Sequence, residues 1–403
     1  MDEANMEKER KDSNNKKFLV IGSCIAIVLI VLGVLGYFLF KGASTSPKDV
    51  FTTAIKTVYK TYNENLDKMN VDKSGSTISI KTDLKSTDED VNKILEIVNA
   101  IGINMNYGVD ITNKTMHFEL DSTYNDKDLL AFAMDIKNEN AYVELKDIYD
   151  KTIVAPVEGF NDLFENYNVE DYKTVLENIY SALEKSLKEE YFTSEETTIT
   201  SDGKDVKVTS NNLVLNEKNL KEIVLSLTTS LNNDEFITSL ANITKTDKEE
   251  IKEALEELQT EDFTIDETLT ISIYTKGMQH EFMGIEMKDE SKNVISLLKN
   301  TDTNYSYKIK TDDVNLKGTI DIVSKKDSLD LAITFNYAGY SGKVSMNFTY
   351  DKNYNYTEVN TNNTVLADEM TENDLMEIYT NIQNNEGILS IIEEISSLTS
   401  LEF

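Results

Sequence analysis

The sequence predicts an α+β fold in which an N-terminal transmembrane helix precedes an ectodomain of extended antiparallel meander sheet covered by amphipathic helices. Three observations predict it. Residues 18–40 form an apolar run without a charge. Two long segments alternate apolar and polar residues, as half-buried strands do, and the segments around them repeat apolar residues at helical spacing. Strands that are apolar on one face need helices over that face, so we expect either one long sheet curled into an open barrel or two closely packed sheets.

The apolar run at 18–40 predicts a retained signal-anchor. A helix of that length, at about 1.5 Å per residue, crosses a hydrocarbon core about 30 Å thick. The tail 1–17 is richer in lysine and arginine than the linker 41–46, which predicts a cytoplasmic N-terminus and an extracytoplasmic segment 47–403 at the cell membrane. A cleaved signal peptide is the alternative, but its apolar core usually has only about 7–15 residues, and Lys41 lies where its cleavage site needs a small residue.

Composition restricts the partners and the compartment. The formal net charge of −32 repels nucleic acid and anionic lipid headgroups, so nucleic acid is not an expected partner, whereas a lipid or cell-wall ligand stays open. The only cysteine, Cys24, lies in the predicted span, which leaves the ectodomain without disulfides and indicates a core held together by packing alone. These features favour an exported bacterial protein that contacts the membrane through residues 18–40.

The first half of the ectodomain alternates helices with a meander. Thr87 and Asp90 resemble a capping box that opens a short helix. Asp202 and Gly203 form a strong two-residue turn signal between two alternating runs. The other predicted elements are helices at 48–69 and 171–188, strands at 77–84, 103–111, 116–120, 132–136 and 141–145, and a hairpin at 196–215.

The second half follows the same plan of helices and meander, without a residue-level repeat. Its predicted elements are helices at 217–232, 234–243 and 247–259, a meander over 266–366, and helices at 372–384 and 387–398. The extracytoplasmic region 47–403 is therefore either a single domain or a pair of lobes, 47–190 and 191–403.

No residue of the ectodomain stands out as catalytic, cofactor-binding or metal-binding. His117 and His280 are flanked by strand-like residues, so we expect solvated strand histidines rather than catalytic bases. A zinc site needs about three nitrogen, sulfur or carboxylate ligands, and the sequence has no HExxH motif or cysteine pair. The run from Asp351 to Asn355 resembles the start of a calcium loop, but Tyr356 occupies the position that requires glycine. We therefore expect a protein that is not an enzyme and has no cofactor.

Two segments carry a resemblance to known proteins. Residues 141–151 (AYVELKDIYDK) and 201–209 (SDGKDVKVT), in the order of elements above, resemble an uncharacterised group of single-pass, signal-anchored exported proteins of low-GC Gram-positive bacteria. In plan alone, the chain also resembles open half-barrel lipoprotein and lipid carriers, whose concave sheet and helices enclose acyl chains. The resemblance implies a membrane-tethered exported protein, and likeness of fold does not establish function.

Three functions fit these observations. The first is a membrane-tethered extracytoplasmic protein that binds a lipid, a cell-wall component or a partner protein without catalysis. Within it, a lipid-binding concavity is the sharpest hypothesis, and it requires that the inner face of the sheet is not filled by the protein's own helices. The second is a carboxylate-based hydrolase of cell-wall glycan, since abundant Asp and Glu make close pairs inevitable. The third is a purely structural or adhesive surface protein.

Overall fold

The computed structural model describes residues 46–69, 73–165, 168–260, 267–351 and 354–399. The predicted tail 1–17, the predicted span 18–40 and all of the linker but Ser46 lie outside the described residues. Within the described ranges, no helix has both the length and the apolar character needed to cross a bilayer.

The described chain is α+β. Its helices are α1 (Pro47–Met69), α2 (Glu89–Asn99), α3 (Phe160–Glu165), α4 (Val169–Ser186), α5 (Glu217–Leu231), α6 (Asp234–Thr244), α7 (Lys248–Thr260), α8 (Glu372–Asn384) and α9 (Glu386–Thr399). Its strands are β1 (Lys73–Ser86), β2 (Ile101–Asp110), β3 (Thr115–Tyr124), β4 (Lys127–Lys137), β5 (Asn140–Leu145), β6 (Thr152–Pro156), β7 (Phe192–Ser201), β8 (Lys204–Leu215), β9 (Leu269–Lys276), β10 (Glu281–Lys288), β11 (Val294–Lys299), β12 (Asn304–Lys310), β13 (Asn315–Ser324), β14 (Ser328–Tyr337), β15 (Tyr340–Asp351) and β16 (Thr364–Leu366).

Contacts group the described residues into two compact units. Unit 1 contains the described part of Met1–Leu66 together with Glu170–Lys299. Unit 2 contains Asp67–Val169 and Asn300–Phe403, again within the described ranges. Each unit therefore draws on two separate stretches of the chain and has an antiparallel sheet and helices of its own.

Unit 1 has a conventional buried core. Its strands lie in the order β7-β8-β9-β10-β11 and all pair antiparallel where their register is recorded. The β7–β8 hairpin turns at Asp202 and Gly203, both with positive φ, which confirms the predicted turn. Ile271 and Ile273 on β9 are 2% and 4% exposed. A helical core cluster consists of Phe236, Ile237, Ala241 and Ile251, packed by Val175, Ile179, Leu231, Leu240 and Leu255.

Unit 2 has a longer sheet whose middle joins the two predicted meanders. Its strand order is β16-β6-β5-β4-β3-β2-β1-β15-β14-β13-β12, and the β16–β6 pair alone among the recorded pairs is parallel. β1 pairs with β15 over its whole recorded register, from Gly75 opposite Asp351 to Ser86 opposite Tyr340. The antiparallel meanders predicted from alternation are confirmed. The predicted second meander, 266–366, ends its regular strands at Asp351, and residues 354–363 form an irregular segment before β16.

The two faces of the unit 2 sheet have opposite character, as the alternation predicts. On one face, which we call the apolar face, Met105, Leu120 and Phe132 align across β2, β3 and β4. On the other, the polar face, Gly108 and His117 align on β2 and β3, and Asp135 follows on β4. A single sheet thus presents an apolar surface and a polar surface within unit 2.

Candidate functional site

The apolar face extends over β1, β15, β14 and β13. The recorded register aligns its side chains in rows that run across these four strands. The rows are Ile80, Met346, Leu331 and Ile322; Thr82, Val344, Ile333 and Ile320; and Leu84, Gly342, Phe335 and Gly318. Apart from Thr82 and the glycines, every member is a large apolar residue.

Each of these large apolar side chains is only half-buried. The contrast is with β9 of unit 1, where the corresponding inward side chains Ile271 and Ile273 are almost completely buried. A sheet face usually reaches that burial by packing against helices or a second sheet. This part of the apolar face is therefore not filled by the helices of its own unit, which is the condition that the predicted lipid-binding concavity requires.

An open groove of about 560 Å³ lies on this face. Its lining is almost wholly apolar and consists of Leu84, Lys85, Leu95, Tyr307, Val314, Leu316, Phe335, Tyr337, Tyr340 and Ser341. Small-molecule sites commonly measure about 300–1,000 Å³ and are lined mainly by apolar and aromatic side chains. The groove has the size and the lining of a site for an apolar ligand.

Helix α2 forms one wall of the groove and is held there by polar contacts. Its N-cap, Asp88, accepts hydrogen bonds from two backbone N–H groups of the first turn. The side chain of Asn92 accepts from the backbone N–H of Ser86 at 2.6 Å and donates to its carbonyl at 2.7 Å. Asn99 forms the same pair of bonds with Leu84, at 2.7 and 2.9 Å. β1 extends beyond its pairing with β2, and these two amides form the hydrogen bonds that the backbone N–H and C=O groups at this end of β1 require.

The polar pairs hold α2 beside a single buried apolar side chain, that of Ile97, which is 7% exposed. Ile94 is 57% exposed and Val98 is 37% exposed, whereas Leu95 lines the groove. The two asparagines therefore share the attachment of this helix with Ile97, and part of its apolar surface stays exposed.

Two glycines lie beneath side chains that line the groove. A Cβ on Gly318 would lie 1.9 Å from the carbonyl oxygen of Thr334 and 2.8 Å from the ring of Tyr307. A Cβ on Gly342 would lie 2.7 Å from Leu84 and 3.0 Å from the Phe335 ring. The missing side chains let the rings lie close to the sheet. Tyr307 also donates to the Thr334 carbonyl at 3.0 Å, and burial raises the pKa of its phenol.

The polar face carries a second cluster, beneath residues 354–359, which we call the strap. Tyr354 lies over Gly75 and Gly108, where an added Cβ would come within 2.3 and 2.7 Å of its ring. Tyr356 stacks on His117 with ring centroids 4.2 Å apart and an interplanar angle of 9°. Burial is the largest cause that raises the pKa of Tyr356 to about 12, and the carboxylate of Asp135 adds to it.

Asp135 ties the strap to the sheet. Its carboxylate is fully buried, accepts from the backbone N–H of Val359 at 2.8 Å, and accepts from Nδ1 of His117 at 2.7 Å. His117 is 3% exposed, so the prediction of a solvated histidine is wrong: alternation placed it on the polar face, and the strap covers it. Among the described residues, none forms a hydrogen bond with the buried Nε2 atom of His117. A catalytic His–Asp pair activates a nucleophile at that atom, and the described residues place none there.

The remaining sequence candidates are not brought together. His280 lies in the turn between β9 and β10 with φ +49°, outside the strands in which it was predicted. Tyr356, at the glycine position of the calcium-like run, packs on His117 rather than forming a loop around an ion. In the described ranges, no group of three or more His, Cys, Asp or Glu side chains is placed to hold a metal ion.

The sequence pattern does not mark the groove residues as a site, because sheet packing explains tyrosines at alternating strand positions. The signal that points to them is an imbalance along the chain: described residues 267–351 contain seven strands in succession, β9 to β15, with no helix between them to cover their apolar faces. Alternating strands in such number need a cover from elsewhere or a ligand.

Comparison with known proteins assigns this chain to no family. No family model matches the chain, and no curated protein matches it. Among solved structures, it is similar to the one described as "The Structure of Intact Ap-TbpB (N and C lobes)", with 8% identity, coverage of 69% of this chain and 76% of that chain, and a TM-score of 0.12. A likeness at this level carries no argument about fold or function. The resemblance to signal-anchored exported proteins stays a prediction.

Proposed function

We propose that this is a membrane-tethered, extracytoplasmic, non-catalytic binding protein that holds the acyl chain of a lipid in the apolar groove of unit 2. The half-buried apolar groove between α2 and strands β1 and β12 to β15 carries the proposal. Tethering through residues 18–40 and a cell-membrane location are part of the proposal and depend on the sequence.

The chemistry of the lining favours an acyl chain over the other ligands that the sequence leaves open. A glycan needs several convergent hydrogen-bonding groups, and a hydrolase of glycans needs two carboxylates about 5–9.5 Å apart. The groove lining contains no carboxylate, and its polar members are Lys85, Ser341 and the hydroxyls of three tyrosines. One of these hydroxyls, that of Tyr307, is already bonded to the sheet.

The acyl chain would lie along Leu84, Leu95 and Phe335, whose side chains line the groove. Lys85 follows Leu84 on β1, so by strand alternation its side chain points to the opposite face, where its ammonium group is 3.6 Å from the carboxylate of Asp83. The proposal therefore assigns the acyl chain to the groove and assigns no residue to the headgroup.

A photoactivatable fatty acid tests the proposal on the full-length protein in phosphatidylcholine nanodiscs. A diazirine on the chain labels whatever lies beside it, and mass spectrometry of peptides maps the label. We expect labelling around residues 84–95 and 314–341. Leu316→Asp places a charge in the lining and should abolish that labelling, whereas Val323→Asp, an exposed position on the polar face of the same strand, should not.

Two results would overturn the proposal. One is labelling confined to residues 18–40, which would mean that the chain only meets bilayer lipid at its span. The other is equal labelling of the groove peptides in wild type and Leu316→Asp, which would mean that the acyl chain does not enter the groove. Circular dichroism of both variants checks that the sheet is retained.

A further inference from the structure

The C-terminal helix pair, α8 and α9, packs on unit 2 through polar groups. Asp374, on the first turn of α8, is 6% exposed and accepts from Tyr149 and Lys151, each at 2.6 Å. Asn381 donates to the carbonyl of Ile148 at 2.8 Å. On α9, Glu394 accepts from the hydroxyl of Tyr124. The inward side of the pair therefore combines carboxylates and an amide with half-buried isoleucines, where an amphipathic helix normally has apolar side chains alone.

The outward side of the pair is apolar. We call it the outer face, and its members are Leu375, Met376, Tyr379, Leu389, Ile392 and Ile395, all between 42% and 63% exposed. On each helix they recur at spacings of three or four residues, which places them on one stripe. Soluble proteins seldom expose contiguous large apolar residues, and such patches mark sites of interaction.

The charge of the residues around the outer face indicates which class of partner can bind there. Residues 354–399 contain no lysine or arginine, and the helix pair carries the exposed acids Glu372, Glu377, Glu386 and Glu393. Lys127 and Lys151 reach the pair from the strands, to Ser390 and to Asp374. An anionic bilayer and a second copy of this acidic face are both repelled. The complementary surface is apolar and cationic.

We infer that the outer face of α8 and α9 docks a basic amphipathic helix of a partner protein. Such a helix inserts apolar side chains at i, i+3, i+4 and i+7 into the apolar stripe, and its lysines or arginines meet the acidic rim. This surface is separate from the groove, and the inference does not rest on acyl-chain binding.

A helical peptide of leucine and lysine that carries a benzophenone on its apolar side is the probe. It is photo-crosslinked to the full-length protein in phosphatidylcholine nanodiscs, and the crosslinked peptides are mapped by mass spectrometry, so that adsorption of the probe to lipid does not affect the result. We expect crosslinks in residues 372–399. The Met376→Gln, Ile392→Gln double variant should lower their yield roughly tenfold, as loss of central apolar anchors does.

Leu225→Gln is the matched control, because Leu225 is 51% exposed on α5 in unit 1 and should not affect the crosslinks. A peptide of leucine and glutamate should not crosslink. The inference is overturned if the double variant crosslinks like wild type, or if the acidic peptide crosslinks equally well. It is also overturned if sedimentation of the peptide-free protein shows a dimer that the double variant dissociates, since the occupant is then a second copy.

Discussion

The buried pair of His117 and Asp135 fastens the strap to the sheet of unit 2. Asp135 has no exposed surface and accepts two hydrogen bonds, one from His117 on the adjacent strand and one from the backbone of Val359 in the strap. Asp135→Ala removes both acceptors at once. It leaves the imidazole N–H and the strap N–H without partners, beneath the ring of Tyr356.

The size of the effect follows from these contacts. A buried donor left without its acceptor loses about 1–3 kcal/mol, and two are left here. Removal of one member of a buried pair costs about 3–5 kcal/mol in comparable cases. We therefore expect Asp135→Ala to lower the free energy of unfolding of unit 2 by about 3–5 kcal/mol. Asp121→Ala is the control, because Asp121 lies on the same face, 40% exposed and 3.7 Å from Lys146, and should change stability by about 0–1 kcal/mol.

Hydrogen exchange at increasing urea measures this effect in unit 2 alone, through peptides from β3 and β4, because a chain with two units need not unfold in a single step. The His117→Ala, Asp135→Ala double variant should be destabilised by less than the sum of the two single variants, since each single change already breaks the shared bond. A loss below about 1 kcal/mol in Asp135→Ala would refute the reasoning, as would strict additivity in the double variant.

Three further results are expected. Gly318→Ala should destabilise unit 2 by about 1–3 kcal/mol in urea denaturation and reduce acyl-chain labelling, because its Cβ would collide with the Thr334 carbonyl; Ser324→Ala, exposed on the same strand, should do neither. Burial, followed by the Glu394 carboxylate, raises the pKa of Tyr124 to about 12, so its contribution to stability should be present below about pH 10 and lost as pH rises through 12. The difference between the ultraviolet titrations of the wild type and of Tyr124→Phe isolates this ionisation, which should move only partly downward in a Glu394→Gln background; a wild-type difference curve centred near pH 10 would contradict it. Lys151, Thr371 and Tyr149 lower the pKa of Asp374, so its stabilisation should be complete above about pH 4 and lost as pH falls through the lowered pKa; the urea midpoint of Asp374→Asn should lack this acid-dependent loss, and an unchanged pH dependence would contradict it.

Local pattern predicted most of the described strands and helices, though not β6 or α3, and it did not predict their pairing. The alternation of Met105, Leu120 and Phe132 with polar residues predicted both the strands and their two faces, because side chains on a strand alternate strictly. The pairing of β1 with β15 joins residues that are far apart in the sequence, and no local preference encodes such a contact. The strap was missed for the same reason, although Gly75 and Gly108 are the positions where only glycine admits the ring of Tyr354.

Which face of a helix packs depends on what its polar residues contact, and this explains both surfaces proposed for binding. Apolar periodicity predicts that a helix is amphipathic and assigns its apolar stripe to the core. In α2 the hydrogen bonds of Asn92 and Asn99 add to the buried Ile97, and in α8 Asp374 has the same role, so that other apolar side chains stay exposed on both helices. Exposed apolar surface of this extent is unfavourable in water, at about 25 cal/mol per Å². Polar hydrogen bonds fix these helices while that apolar surface stays exposed. A bound ligand or partner would cover the surface and complete the packing.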